Sequence, residues 1–299
     1  MPYVALVKES FEIVRRNRFL WFYGLFAGGA TFNFPASFPS DSGDDSADPV
    51  PSVDPEVVAV IALAVLTLAL VLAALSMVSQ GALADSVAAI RTGERRSFGS
   101  AWRSGLRSFW RMLGLGVVFA LIGLALLLAV VLPVAAVIVA VALASDSVVP
   151  IVVAAIGAGI PGIVVLFALL LVLGVTAQLA VRHAVVARAG ITDSLRVGWR
   201  LLRDNLIPSG AMLLIQQAAT FVSSIGILLA VLLLSLPAII LLVAGATTVG
   251  IVAAAMTALI VIPLALTAYG ALGAFNHSLW TLGYLELMRR GWDSNPRSA

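Results

Sequence analysis

The sequence predicts an all-α, polytopic integral membrane helix bundle. It should have six transmembrane helices in three repeated hairpins, each hairpin preceded by an amphipathic interfacial helix. Three observations carry that prediction. Of 299 residues, 61% are hydrophobic and 11% charged, against about 25% charged in an ordinary soluble domain. So little charge could not cover a water-facing surface. The charges are also confined to stretches between long uncharged runs, at 57–84, 112–145, 147–181 and 205–285. Finally, six crossings put all 18 Lys and Arg on one side of the bilayer.

The chain opens on a basic amphipathic stretch containing Lys8, Arg15, Arg16 and Arg18. An aromatic-rich segment, Phe19–Phe34, follows and ends at Pro35. It is short against the roughly 20 residues of a spanning helix. A tilted helix, a thinned bilayer and a re-entrant segment all fit that length. Charge favours crossing: bases precede the segment, while Asp41, Asp44, Asp45, Asp48, Asp54 and Glu56 follow with no base among them. No small-residue cleavage site stands before Pro35, so a cleavable signal is not expected. Residues 35–56, rich in Ser, Asp and Pro, read as an external acidic loop.

Val57–Ala84 holds one span, and Met112–Ser145 and Ser147–Val181 form a hairpin about Asp146. The run from Asn205 to Leu285 holds two spans, with a turn near Gly245-Ala246-Thr247. Pro133, Pro237 and Pro263 imply kinks. Gly157-x-Gly159-x-Pro161-Gly162 permits close backbone approach or a break in the fourth span. The basic groups lie at 8–18, 91–111, 182–203 and 289–297. The positive-inside rule makes their side cytoplasmic, with both termini inside, as in a bacterial inner-membrane protein.

These groups also expose a repeat within one membrane domain, 1–291, with units of about 1–93, 94–190 and 191–291 and a disordered tail at 292–299. Returning spans end in Arg-x-Gly at Arg91, Arg188 and Arg289. The basic segments that follow, the feet, align without gaps as Arg103-x-Gly105-Leu106-Arg107 and Arg196-x-Gly198-Trp199-Arg200. Phe11-x-x-x-Arg15-x-Asn17 matches Trp199-x-x-x-Arg203-x-Asn205 more loosely. In 98–113 the residues Phe98, Trp102, Leu106, Phe109 and Leu113 share one helical face beside a stripe of Arg103, Arg107 and Arg111. In 194–206, Leu195, Trp199, Leu202 and Leu206 stand against Arg196, Arg200 and Arg203. Aromatics beside arginines suit a helix in the headgroup layer, where each base adds about 1 kcal/mol near anionic lipid. Arg15, Arg16, Trp102, Arg103, Arg107, Arg111, Arg196, Trp199, Arg200 and Arg203 are therefore the expected lipid-interface residues. The alternative is short cytoplasmic helices packed on the bundle, with ordinary positive-inside charge.

Ionisable groups within a bilayer are costly and point to function. Asp85, Arg182 and His183 sit near the inner ends of their spans. Counted back from the Arg-x-Gly motifs, Asp85 and Arg182 are equivalent positions, which suggests an ion pair across two spans with His183 alongside. That pair would be a proton-coupled gate, a headgroup clamp or, as the favoured reading, a structural lock. Gln178, Gln216 and Gln217 read as buried amides bonding between helices. His277 with Asn276, and Glu286, all in the last span, read as hydrogen-bonded within the bundle or placed at the interface. The chain has no cysteine and only two histidines, which excludes thiolate metal sites and iron–sulfur ligation. No metal, cofactor, catalytic constellation or nucleic-acid surface is expected.

The feet Ala101-Trp102-Arg103-Ser104-Gly105-Leu106-Arg107 and Ser194-Leu195-Arg196-Val197-Gly198-Trp199-Arg200 each enter a long apolar hairpin. In this the chain resembles a broad group of uncharacterised bacterial six-span membrane proteins. These are similar to the membrane domain of some glycerophosphodiester phosphodiesterases. The resemblance implies the fold and no activity, since the phosphodiesterase domain with its carboxylate and histidine metal ligands has no counterpart in this sequence. The expected role is a non-enzymatic scaffold meeting anionic headgroups at the cytoplasmic face, and a protein partner or a second copy. The alternative is a transporter or channel for a small or amphipathic solute.

Overall fold

The computed structural model describes residues 2–28, 54–145 and 147–293. Eight helices run through them: α1 (Tyr3–Arg16), α2 (Phe19–Gly28), α3 (Pro55–Arg91), α4 (Phe98–Ala144), α5 (Val148–Val186), α6 (Ile191–Asp204), α7 (Leu206–Val243) and α8 (Thr247–Asp293). Five of them, α3, α4, α5, α7 and α8, are long and apolar enough to cross a membrane. The far end of Phe19–Phe34, most of the acidic loop, Asp146 and the tail from residue 294 lie outside the described residues. The backbone of 292 and 293 continues α8.

Local chemistry sets the helix ends. Pro55 opens α3, where its missing N–H costs nothing. Ser97 and Ser100 cap α4 reciprocally, the Ser97 N–H donating to Ser100 Oγ at 3.0 Å and the Ser100 N–H to Ser97 Oγ at 3.4 Å. The ends of α3 and α7 close alike. Glu94 N–H donates to the Ala89 carbonyl at 3.0 Å, and Ala246 N–H to that of Leu241 at 3.1 Å. Gly93 (φ +88) and Gly245 (φ +80) take the left-handed position such a turn requires. The α7–α8 turn thus falls where the sequence suggested.

The three Arg-x-Gly motifs do not share a geometry. Arg91 ends its helix ahead of left-handed Gly93, Arg188 is itself left-handed at φ 53 beyond the end of α5, and Arg289 lies within α8. Nor is a separate helix found before every hairpin. Residues 98–113 are the first turns of α4, which runs unbroken for 47 residues, about 70 Å at the α-helical rise. Asn17 and Asn205 explain the difference. Each ends a short helix and turns its Nδ2 onto a carbonyl four residues back, Ile13 at 2.9 Å and Leu201 at 3.2 Å. Such side chains compete with the helical ladder. In the foot alignment Met112 replaces Asn205, and the helix continues. Pro133, Pro161, Pro237 and Pro263 lie inside helices that continue past them, so of the two readings of 157–162 the break is absent, while a Cβ on Gly162 would press on Val134 of α4.

The buried core gathers at the end of the bundle where the basic residues lie. There α8 packs against α1, α2, α3, α5 and α7, α3 against α4, and α5 against α6. Small residues allow these approaches. A Cβ on Gly24 of α2 would strike the Gly270 carbonyl and the Ala274 nitrogen of α8, so the two backbones touch. In the feet, a Cβ on Gly105 would strike the Val78 carbonyl of α3, and one on Gly198 would press on Ala180 of α5.

Candidate functional site

The feet bury mainly small and aliphatic positions, and only part of the face their large residues suggest. In α6 the buried positions are Ser194, Gly198, Leu201 and Leu202, and in α1 they are Leu6, Ser10, Ile13 and Val14. With Asn17 set on Asn205, these match one for one. In α4 the buried positions Ala101, Gly105 and Ser108 fall in step with Ser194, Gly198 and Leu201. Trp199 stays 52% exposed, and Leu106 48%. Trp102 is half-buried against the core formed by α1, α2 and α3. Arg15, Arg16, Arg103, Arg107, Arg196, Arg200 and Arg203 are exposed, with Arg111 intermediate. Arg16 pairs with Glu12 at 2.9 Å and Arg203 with Asp204 at 3.7 Å.

The structure separates Asp85, Arg182 and His183. Asp85 pairs with Arg96 at 3.3 Å, and Arg96 also reaches Glu94 at 3.3 Å. The expected Asp85–Arg182 pair is therefore not formed. Equivalent repeat positions occupy different hairpins, and each meets its own surroundings. Arg182, 2% exposed, points instead across to α8. It donates to the Gln178 carbonyl at 2.9 Å and to Gln178 Oε1, and meets His277 Nδ1 at 3.2 Å. His277 must accept there, which puts its own proton on Nε2, on the side of the Ala27 backbone of α2. His183 also reaches α8, through a different partner. It meets Tyr284 Oη at 2.8 Å and Asp193 Oδ2 at 3.4 Å.

This buried network ties α5 to α8, with α2 packed alongside, without a carboxylate on Arg182. A buried cation with neutral partners is costly; here carbonyl and imidazole acceptors meet it, although Nε is buried without one. Among the amides, Gln216 joins α7 to α8 through Trp280 Nε1, and Asn276 donates to Thr220 Oγ1 at 3.0 Å. Gln178 bonds within its own helix and Gln217 is exposed, so neither is an interhelical amide. Arg91 staples α3 to Glu9 of α1 at 3.2 Å and to the Leu282 carbonyl of α8 at 3.4 Å.

A second feature gathers charge at the surface. A cleft of about 510 Å³ opens between the end of α3, the start of α4 and the end of α5. Arg103, Arg107 and Arg111 line it, joined by Arg96 and Arg188, with Asp85 as the sole carboxylate. Arg96 and Arg188 did not figure among the expected interface residues. A usable signal was present: Ser100, Ser104 and Ser108 recur at steps of four beside the arginine stripe, marking a polar wall.

A family model described as a family of unknown function, DUF7544, matches residues 18–281. The chain belongs to this family. The matched region starts within the basic stretch before α2 and ends in α8, and so takes in both the buried network and the cleft. No curated protein and no solved structure matches the chain. Nothing in these comparisons links it to glycerophosphodiester phosphodiesterases. What stands is an integral membrane protein whose family carries no assigned function.

Proposed function

We propose that the chain is a non-enzymatic bacterial inner-membrane scaffold that crosses six times with both termini in the cytoplasm. Its three feet hold anionic lipid headgroups and present a cytoplasmic surface to a protein partner or second copy. One observation carries this reading: α1, the start of α4 and α6 bury matching small and aliphatic positions while turning arginines outward at one end of the bundle. A helix clamped by its small face and basic on its free face suits the headgroup layer.

Two measurements test it. The chain has no cysteine, so single-cysteine variants report topology directly. Ser40→Cys should label from outside intact cells, and Arg95→Cys only after permeabilisation. Purified protein should retain phosphatidylglycerol over phosphatidylethanolamine in native mass spectrometry. A variant with Arg15, Arg16, Arg196 and Arg200 changed to Gln should lose that preference. Equal retention of both lipids by the unaltered chain would sink the lipid reading.

The second reading is a transporter or channel for a small or amphipathic solute. The buried Arg182–His277 contact favours it, because bases within spans mark transport pathways in many membrane proteins. It predicts that Arg182→Gln abolishes solute flux in proteoliposomes while the fold persists.

A further inference from the structure

We propose that the cleft between α3, α4 and α5 binds a dianionic phosphoryl group, the phosphate of a phosphomonoester or a diphosphate. The inference rests on reading the basic end as an anion-facing surface, and narrows it to one built site. Three chain segments converge there. The start of α4 contributes Arg103, Arg107 and Arg111 on one face, the turn after α5 contributes Arg188, and the α3–α4 connection contributes Arg96. Asp85 is already engaged by Arg96 at 3.3 Å. Among the described residues, the other four arginines have no acidic partner.

Four unpaired cations around one opening repel one another, and an anion between them removes that cost. The type of anion follows from the donors. Hydroxyls do not compete, because Ser100, Ser104 and Ser108 each donate to a carbonyl of their own chain segment, at 2.9, 2.9 and 2.8 Å. That leaves guanidinium forks, which engage phosphate oxygens two at a time. A carboxylate brings one charge and two oxygens, too few to answer four arginines. The volume, about 510 Å³, falls within the range of small-molecule sites, about 300–1,000 Å³, so it admits an organic group beside the phosphate. Val185 is the only apolar side chain in the lining. The cleft therefore takes a headgroup or a soluble phosphate compound, and an attached acyl chain would lie outside it. The groove on α6 differs, since Arg196, Trp199, Arg200, Arg203 and Asp204 all come from a single helix.

The test uses the full chain in non-ionic detergent, titrated separately with inorganic pyrophosphate and with short-chain phosphatidic acid while thermal stability is followed. A saturable rise with pyrophosphate supports a soluble phosphate ligand, and one with phosphatidic acid alone supports a lipid headgroup. Either result sustains the site if Arg103→Gln/Arg107→Gln and Arg188→Gln each weaken apparent affinity by about tenfold or more, the scale of a lost charged hydrogen bond. Arg196→Gln/Arg200→Gln, in the α6 foot, must leave the pyrophosphate affinity unchanged and weaken that for phosphatidic acid less than the cleft variants do. Stability without ligand, measured for every variant, separates loss of binding from misfolding. No saturable response to either probe, or equal loss in the α6 variant, overturns the site. Phosphatidylglycerol retention reports on the feet independently, so failure of the cleft and failure of the scaffold reading give different results.

Discussion

On α3, Leu83, Ala84 and Val87 are 0%, 3% and 0% exposed, while Leu63, Leu66 and Leu70 are 65%, 56% and 63% exposed. Both halves are apolar helix, yet only the half near the basic end is packed. The difference lies in the small residues. Ser76, Ser79, Gly81, Ala82, Ala84 and Ser86 let α3 meet its neighbours at the basic end, whereas 57–72 is mainly Val, Leu, Ile and Ala without glycine or serine. Lipid tails are as apolar as leucine, so membrane helices associate through close packing and hydrogen bonds, not through removal of apolar surface from water. The far halves of α4, α5 and α7 are open as well, with Leu121, Ile163 and Leu233 at 61%, 68% and 68% exposure, and on α5 this holds even where Gly157 and Gly159 offer small faces. Hydropathy finds the spans; on α3 the small residues mark where they touch.

The sharpest way to break this contrast is to add one methyl group in each region. Gly24→Ala sets a Cβ against backbone atoms of Gly270 and Ala274, which cannot swing aside. It should destabilise the bundle by about 3 kcal/mol, the upper part of the overpacking range. Gly226→Ala, where a Cβ meets nothing within 4 Å, should be neutral or stabilise by up to about 1 kcal/mol through helix propensity. Reversible unfolding in mixed micelles measures both, and equal effects would defeat the comparison. Leucine truncation comes next. Leu83→Ala should cost about 2 kcal/mol, the low end of the core range, because only cavity and contact terms operate here. Leu66→Ala on the open half should cost under about 0.5 kcal/mol.

Those two regions differed in how well the sequence announced them. The spans and the turn at Gly245 were legible, because apolar run length and a glycine free to turn left-handed are local properties. The arginine stripes of the feet were legible too. Their packed faces were not: Phe98, Trp102 and Leu106 mark the face expected in the headgroup layer, whereas the face packed on the bundle is Ala101, Gly105 and Ser108. Repeat logic misled in a different way. It placed Asp85 and Arg182 at equivalent positions, and equivalence under a repeat does not imply contact. The cleft is not legible in the sequence, because Arg188 joins Arg107 only once α5 has folded back along α4, a pairing no sequence spacing records.

Within the packed end, the Arg182 network should respond asymmetrically. His277→Leu removes an acceptor from a buried cation and should cost about 1–3 kcal/mol. Arg182→Met removes the charge itself and should cost less, because an apolar side chain needs no acceptor there. The double variant should be more stable than His277→Leu alone. Additive losses in a double-mutant cycle would show that the network stores no coupling energy.

The smallest effect should come from the joint between foot and span, which distinguishes α6–α7 from α4. Asn205 ends α6 by bonding the Leu201 carbonyl, whereas Met112 at the aligned position lets α4 run straight on. Asn205→Met removes the competing side chain and supplies a good helix former, so the stability change should stay within about 1 kcal/mol. Direction should change more than energy. A fused α6–α7 would carry Arg196 and Arg200 away from the positions that packing of α6 on α5 gives them. Spin labels at Arg196→Cys and Leu228→Cys, in this otherwise cysteine-free chain, should then report a longer and narrower distance distribution than with Asn205 present. An unchanged distribution would mean that packing of Gly198 on Ala180, and not the asparagine, holds the foot across the end of its span.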